Sequence, residues 1–179
     1  MTTPPAQYQL PYTIVRPFNC VGIGERRAVR DTDIMSGNVK LALSHVVPDL
    51  VLKVMKGQHP LHILGAGDQV RHYTYGGDLA HGIRLAMESS AAVNDDFDLS
   101  TAASTTVLEL AETIWHKIHT DGRQFRYVSD PPFEHDVQLR VPDIRKSCDI
   151  LGFEATTTLG GMLDEVIPWI VTEVEAGRL

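Results

Sequence analysis

Leu61–Asp78, LHILGAGDQVRHYTYGGD, decides how the chain is read. Three β-favouring residues and a histidine lead into a Gly65-Ala66-Gly67-Asp68 turn. Arg71 then sits among aromatic and β-branched residues, and Gly76-Gly77-Asp78 opens a helix. A strand, a glycine turn and a second extended run ending at a helix start form a compact unit for building a site. Arg71 is its only fixed positive charge. A guanidinium on an extended segment beside a flexible turn suits bidentate capture of a phosphate or carboxylate. The same side chain is equally able to pair with Asp68 or Asp78 on the surface.

Outward from this unit, strands alternate with amphipathic helices. Tyr12–Pro17 (YTIVRP) reads as a short buried strand, and Arg16 and Asn19 lie at its carboxyl end, where open α/β sheets bind ligands. Asn19 serves equally well as a turn-capping amide. Glu25–Gly37 is a charged segment, read as a solvated loop or a mobile lid. Val46, Leu50, Val51 and Val54 have helical spacing, with Pro48 in the first turn and Gly57 at the end. Asp78 is placed to cap a second helix that runs to about Ser89, with Leu79, Ile83, Ala86 and Met87 on a core face. Phe97–Ser100 is a strand. Thr106 and Glu109 form a capping-box pair ahead of a stripe of Val107, Leu110, Ala111, Ile114 and Ile118. His116 and His119 share this helix without a third metal ligand in view. A strand over Phe125–Val128, a short helix capped by Asp143 and closed by Gly152, and a final helix from Leu159 to Glu175, kinked at Pro168, complete the pattern. The fold class is α/β, organised as one unit over residues 1–179.

The composition sets the outer limits. The chain has 179 residues, 43% of them hydrophobic, enough for a globular core. Sixteen basic and twenty-three acidic residues give a formal net charge of −7, with no basic stripe, which argues against a nucleic-acid binder. Two distant cysteines, Cys20 and Cys148, fit a reduced intracellular setting. MTTPPAQYQL has no signal-peptide pattern and no run approaches a membrane span, so a cytoplasmic protein without membrane contact is expected.

The sequence carries no G-x-S-x-G elbow, H-E-x-x-H helix or P-loop. Gly65-Ala66-Gly67 starts like a dinucleotide fingerprint, but position 70 is Val and an extended segment follows.

Four segments in order nevertheless resemble the extended short-chain dehydrogenase/reductases, specifically the NAD-dependent nucleotide-sugar epimerases and dehydratases. LPYTIVRPFNCVGIGE resembles the family's RPFNVYGPG strand and turn. The run from VVPDLVLKVMKG to YGGDLAHGI resembles the helix, base-contacting strand and G-x-G-x-Q-x-R-D-F-x-Y-V-x-D segment. FDLSTAASTTVLELAETI is similar to the late strand and helix written YNIG and S-x-x-E-L-A. DVQLRVPDIRKSCDILGFEATTTLGGMLDEVIPWI resembles the closing R-x-x-D-x-S-K-A segment and final helix. The resemblance implies the late strands of a Rossmann-type parallel sheet plus a small mixed α/β substrate-binding subdomain. It covers the second half of a typical member.

The resemblance further implies that Asn19 contacts substrate, Arg71 holds the diphosphate, and Ile63 and Leu64 lie along the base, with Arg140 nearby. The ligand implied is a UDP- or dTDP-type nucleotide sugar. His72 departs from the family's Asp, and Pro132-Phe133-Glu134-His135-Asp136 replaces an R-P-G-D turn that carries a second phosphate arginine. The glycine-rich NAD fingerprint and the Tyr-x-x-x-Lys pair are missing from the 179 residues. In such enzymes the tyrosine is the acid/base, and the lysine tunes it and holds the cofactor ribose. The chain alone is therefore expected to bind no NAD, to have no catalytic residues of its own and to be incomplete as an enzyme. The alternative is a non-catalytic remnant kept as an interaction or regulatory module. Exposed strand edges and an exposed Val107–Ile118 face would make it a homo-oligomer, such as a homodimer, or the partner of a complementing N-terminal half.

Overall fold

In the computed structural model, residues 10–24, 35–37, 39–40, 45–132, 134 and 136–178 are described. In chain order the elements are β1 (Thr13–Pro17), β2 (Cys20–Val21), β3 (Met35–Ser36), β4 (Val39–Lys40), α1 (Val46–Met55), β5 (Leu61–Leu64), β6 (Val70–Arg71), β7 (Thr74–Tyr75), α2 (Gly76–Glu88), β8 (Asp95–Leu99), β9 (Thr105–Thr106), α3 (Val107–Ile118), β10 (Tyr127–Asp130), α4 (Arg145–Leu151) and α5 (Leu159–Glu175). β1 pairs in parallel with β8, β5 with β10 and β2 with β7, while β6–β9 and β3–β4 are antiparallel. Most of the charged Glu25–Gly37 segment lies outside the described residues.

Two apolar clusters form the interior. In the first, Phe97 and Leu99 of β8 pack with Leu79 and Ala86 of α2 and with Leu151 and Phe153. Gly82 lets α2 approach this cluster: a Cβ there would lie 2.8 Å from the Phe153 ring. Residues 95, 97 and 99 of a strand share one face, so Asp96 and Asp98 face the other way. There Arg16 pairs with both of these acids. The β1 strand is thus apolar on one side and charged on the other. Ile14 is 46% exposed, and the buried strand expected over Tyr12–Pro17 is half-exposed instead. Arg16 is held by the sheet and does not line the cavity described below.

The second cluster joins α1, α3 and α5 to β5 through Val51, Leu61, Ile63, Leu110, Ile114, Trp115, Leu163 and Val166. The α3 stripe is buried against α1 and α5, which overturns its expected exposure. It starts with the capping box: Glu109 N donates to Thr106 Oγ1 at 3.1 Å and Thr106 N to Glu109 Oε2 at 2.7 Å. Gly57, at φ +69°, closes α1, and Gly152, at φ +64°, closes α4, where only a residue free of a Cβ adopts the left-handed region cheaply. α5 runs unbroken through Pro168, which lies on its exposed side.

Other local expectations are corrected. α2 begins at Gly76 with Tyr75 as its N-cap residue and without a side-chain cap. The Asp78 carboxylate instead accepts a 3.0 Å bond from Thr157 N, which ties α2 to the approach to α5. Ile83 is 38% and Met87 80% exposed, because the apolar arc of α2 is wider than the surface that β1, β8 and Phe153 offer it. The strand expected over Phe125–Val128 occupies Tyr127–Asp130, because pairing with β5 outweighs the turn propensity of Ser129-Asp130. α4 starts at Arg145, after Ile144. The Asp143 carboxylate still accepts from Arg145 N at 3.2 Å, and ion pairing with Arg145 depresses its pKa to about 2.

Candidate functional site

The opening stretch of the sequence builds one wall of a cavity of about 550 Å³. β5 alternates, with Leu61 and Ile63 buried and His62 and Leu64 half-buried, and Ile63 and the strand-end residue Leu64 line the cavity. Gly65 (φ +68°) and Gly67 (φ +79°) then turn the chain back. A Cβ on Gly65 would meet Gln69 Nε2 at 2.9 Å, and one on Gly67 would meet the Leu108 side chain at 3.1 Å. The glycines are therefore required by close packing. The turn leads into β6 and packs against Gln69 and Leu108. It does not fit a dinucleotide pyrophosphate, which needs open backbone amides at a helix start.

Past the turn, Gln69, Arg71 and Tyr73 line the cavity. Residues two apart in an extended chain share a side. On the opposite side, His72 Nδ1 donates to Thr101 O at 3.0 Å and Thr74 Oγ1 lies 3.3 Å from Ser100 Oγ. Residues 136–140 run beside β6, with Val70 N bonded to Gln138 O at 2.8 Å. That pairing delivers Asp136 and Arg140 to the cavity. Asn19, at φ +37°, ties the next wall: its Nδ2 donates to His72 O at 3.2 Å and its carbonyl accepts from Thr74 N. The Asn19 amide is thus spent on a distant carbonyl, in place of the turn-capping bond expected as one alternative, and Asn19 lines the cavity.

Asn19, Ile63, Leu64 and Arg71, which the resemblance assigns to the ligand, and Arg140 nearby line this one cavity, while Arg16 does not. Arg71 pairs with neither Asp68 nor Asp78. Its Nη1 donates to Val70 O at 2.9 Å and its Nη2 lies 3.4 Å from Asp136 Oδ1. Asp136 takes a shorter, 2.6 Å bond from Gln69 Nε2.

Asp49, Lys53, Gln69, Tyr73 and Asp136 also line the cavity and were missed by the sequence reading. Asp49 and Lys53 are nearly fully buried on α1. Burial pushes the Lys53 ammonium below its ordinary pKa, against the opposing pull of Asp49 and Asp130, and its Nζ donates to His62 O at 2.8 Å. Two charges at i, i+4 inside an otherwise apolar helix were the available signal. Tyr73 is 6% exposed, and burial raises its pKa to about 12.

The histidine pair of α3 is not brought to a metal site. His116 lies beside Glu112, the His119 ring packs 4.3 Å from Trp115, and among the described residues no three His, Cys, Asp or Glu side chains cluster as ligands. No helix among the described residues is long and apolar enough to cross a membrane.

Comparison with known proteins agrees with this architecture. UDP-glucuronic acid decarboxylase 1 of Danio rerio is 28% identical over 152 residues, covering 84% of this chain and 35% of that protein. UDP-glucuronic acid decarboxylase 4 of Arabidopsis thaliana is 31% identical over 147 residues, covering 82% and 28%. The chain thus spans about a third of the length of these curated relatives. Among solved structures, the UDP-glucose 4-epimerase of Thermotoga maritima, determined with UDP-glucose, superposes with a TM-score of 0.74 at 26% identity, over 94% of this chain and 48% of that one. An epimerase of Methanothermobacter thermautotrophicus shares the fold at a TM-score of 0.77 and 22% identity, over 96% and 46%. The late strands of a Rossmann-type sheet and the mixed α/β subdomain beside them are therefore a partial copy of a known fold. The model of the NAD dependent epimerase/dehydratase family matches residues 5–100, more than half of the sequence, and the chain belongs to that family.

Proposed function

We propose that this chain is the nucleotide-sugar-binding portion of an NAD-dependent epimerase or dehydratase, acting as one unit over its 179 residues and not catalytically complete by itself. The observation that carries the reading is the convergence of Asn19, Ile63, Leu64, Arg71 and Arg140 on one cavity of drug-ligand size. Two guanidinium groups, an amide and apolar strand edges match a diphosphate, a sugar or phosphate oxygen, and a base. The relatives named for UDP-glucuronic acid and UDP-glucose support a UDP- or dTDP-type sugar as the ligand class. The reading includes a cytoplasmic setting, in keeping with two exposed cysteines, Cys20 and Cys148, that form no disulfide.

The reading gives catalysis and NAD to residues beyond those 179. No tyrosine in the sequence has a lysine four positions later, so no internal pair is available to move a proton at a sugar hydroxyl. Calorimetry of the purified chain tests both halves of the reading. UDP should bind, and NAD and NADP should not. Micromolar NAD binding, or absence of any UDP or dTDP binding, would overturn the corresponding half.

A further inference from the structure

Gln69 and Tyr73, both on the cavity wall, each carry a buried polar atom with no partner among the described residues. Gln69 is 4% exposed, and its Nε2 is spent on Leu64 O at 3.1 Å and on Asp136. Those bonds fix the amide orientation and leave Oε1 as a buried, unpartnered acceptor. The Tyr73 phenol is also buried without a partner, and it stays protonated at neutral pH because burial holds its pKa at about 12. It therefore keeps a proton to donate. Buried polar groups without partners are rare in folded proteins, and a bound molecule is one of the few things that accounts for them.

We infer that Gln69 and Tyr73, on either side of Arg71, are ligand contacts that set which molecule the cavity takes: an anion with a hydrogen-bond donor on its Gln69 side and an acceptor on its Tyr73 side. The Gln69 amide nitrogen bonds to Leu64 O at the end of β5, which places this amide beside the strand read as the base-contacting one. Tyr73 lies on the other side of Arg71. It also lines a second cavity of about 320 Å³ together with Ser100, Thr101 and Thr105, and this position between the two cavities is the reason for assigning it to the sugar side. This inference rests on the nucleotide-sugar reading above and deepens it.

Titration of wild type, Tyr73→Phe and Gln69→Met with UDP and with UDP-glucose tests it. Tyr73→Phe should weaken UDP-glucose by about three- to tenfold and UDP by less, with no loss of melting temperature, since it removes an unpartnered group. Gln69→Met should weaken both ligands alike. If wild type binds and Tyr73→Phe binds both ligands equally well, the inference falls while the nucleotide-sugar reading stands. A lower melting temperature in Tyr73→Phe with unchanged affinity would make the phenol structural and overturn the inference in the same way. A wild-type chain that binds neither ligand overturns the nucleotide-sugar reading, and this inference with it.

Discussion

Arg71 Nη2 stands 3.4 Å from Asp136 Oδ1, while the other oxygen of that carboxylate takes a 2.6 Å bond from Gln69. The guanidinium is thus oriented by its neighbours and only loosely engaged by the acid. The remaining contacts of Arg71 are to the carbonyls of Val70 and Gln138, which hold it in place without neutralising it. A phosphate has more charge and a better matched geometry than a carboxylate at 3.4 Å. Arg71→Ala should therefore cost UDP affinity about 1.5 to 3 kcal/mol, roughly one to two decades. Unchanged UDP binding in calorimetry would reduce Arg71 to a structural tie between β6 and residues 136–140.

Asp136 is a built-in competitor for that guanidinium. Asp136→Asn keeps the shape and the bond from Gln69 while removing one negative charge from the cavity wall. UDP affinity should rise by about threefold to tenfold at low salt, and the gain should shrink as ionic strength screens it. A fall in affinity would mean that the carboxylate itself touches the ligand, and the competitor role would be lost.

Much of this arrangement is legible in the sequence, for reasons that differ by residue. The α3 capping box, the Gly57 and Gly152 stops and the buried stripe of α5 depend on contacts within one or two turns, so the spacing of residues suffices. Arg71 stood out as the lone cation on an extended segment, and once it is placed on the cavity, Gln69 and Tyr73 follow from the two-residue period. Asp136 was not legible as a partner of Arg71. It arrives through Val70–Gln138 pairing across 68 positions of chain, and no local rule reports such a contact. Asp78 failed for a related reason. Its spacing fits an N-cap, but the Thr157 amide, far along the sequence, competes for the same carboxylate.

The Thr106–Glu109 pair carries a test of stability. Thr106→Ala should cost about 1 kcal/mol, a drop of about 2 to 4 °C in melting temperature for a chain of this size. The bond from the Thr106 backbone amide, followed by the one to its side chain, holds the Glu109 pKa below its ordinary value of 4.5. A carboxylate depressed in the folded state contributes stability that is present above its unfolded pKa and lost as pH falls through the folded value. Glu109→Gln should flatten that part of the acid limb in denaturant titrations run below pH 4.5. An unchanged acid limb would exclude Glu109 as a contributor.

Assembly is the remaining expectation, and the structure moves its location. The α3 face first expected to be exposed is covered by α1 and α5. The open surfaces lie around the β1–β8 pair instead. Among the described residues β1 bonds to a strand on one side only, Ile14 is 46% exposed beside it, and Met87 on the neighbouring helix is 80% exposed. Two-stranded parallel sheets are rarely left uncovered, because parallel pairing is normally buried on both faces and extended by neighbouring strands. An unpaired strand edge is also a template for pairing with another chain. A second copy joined edge to edge through β1 would pair the open backbone groups of that edge and bring Ile14 beside the new interface. Light scattering or sedimentation over roughly 1 to 100 micromolar should give a mass above that of one chain, rising with concentration. Ile14→Asp, which places a charge at that edge, should shift the mass toward the single chain. A clean monomer throughout this range, in wild type, would rule the edge out as an assembly surface.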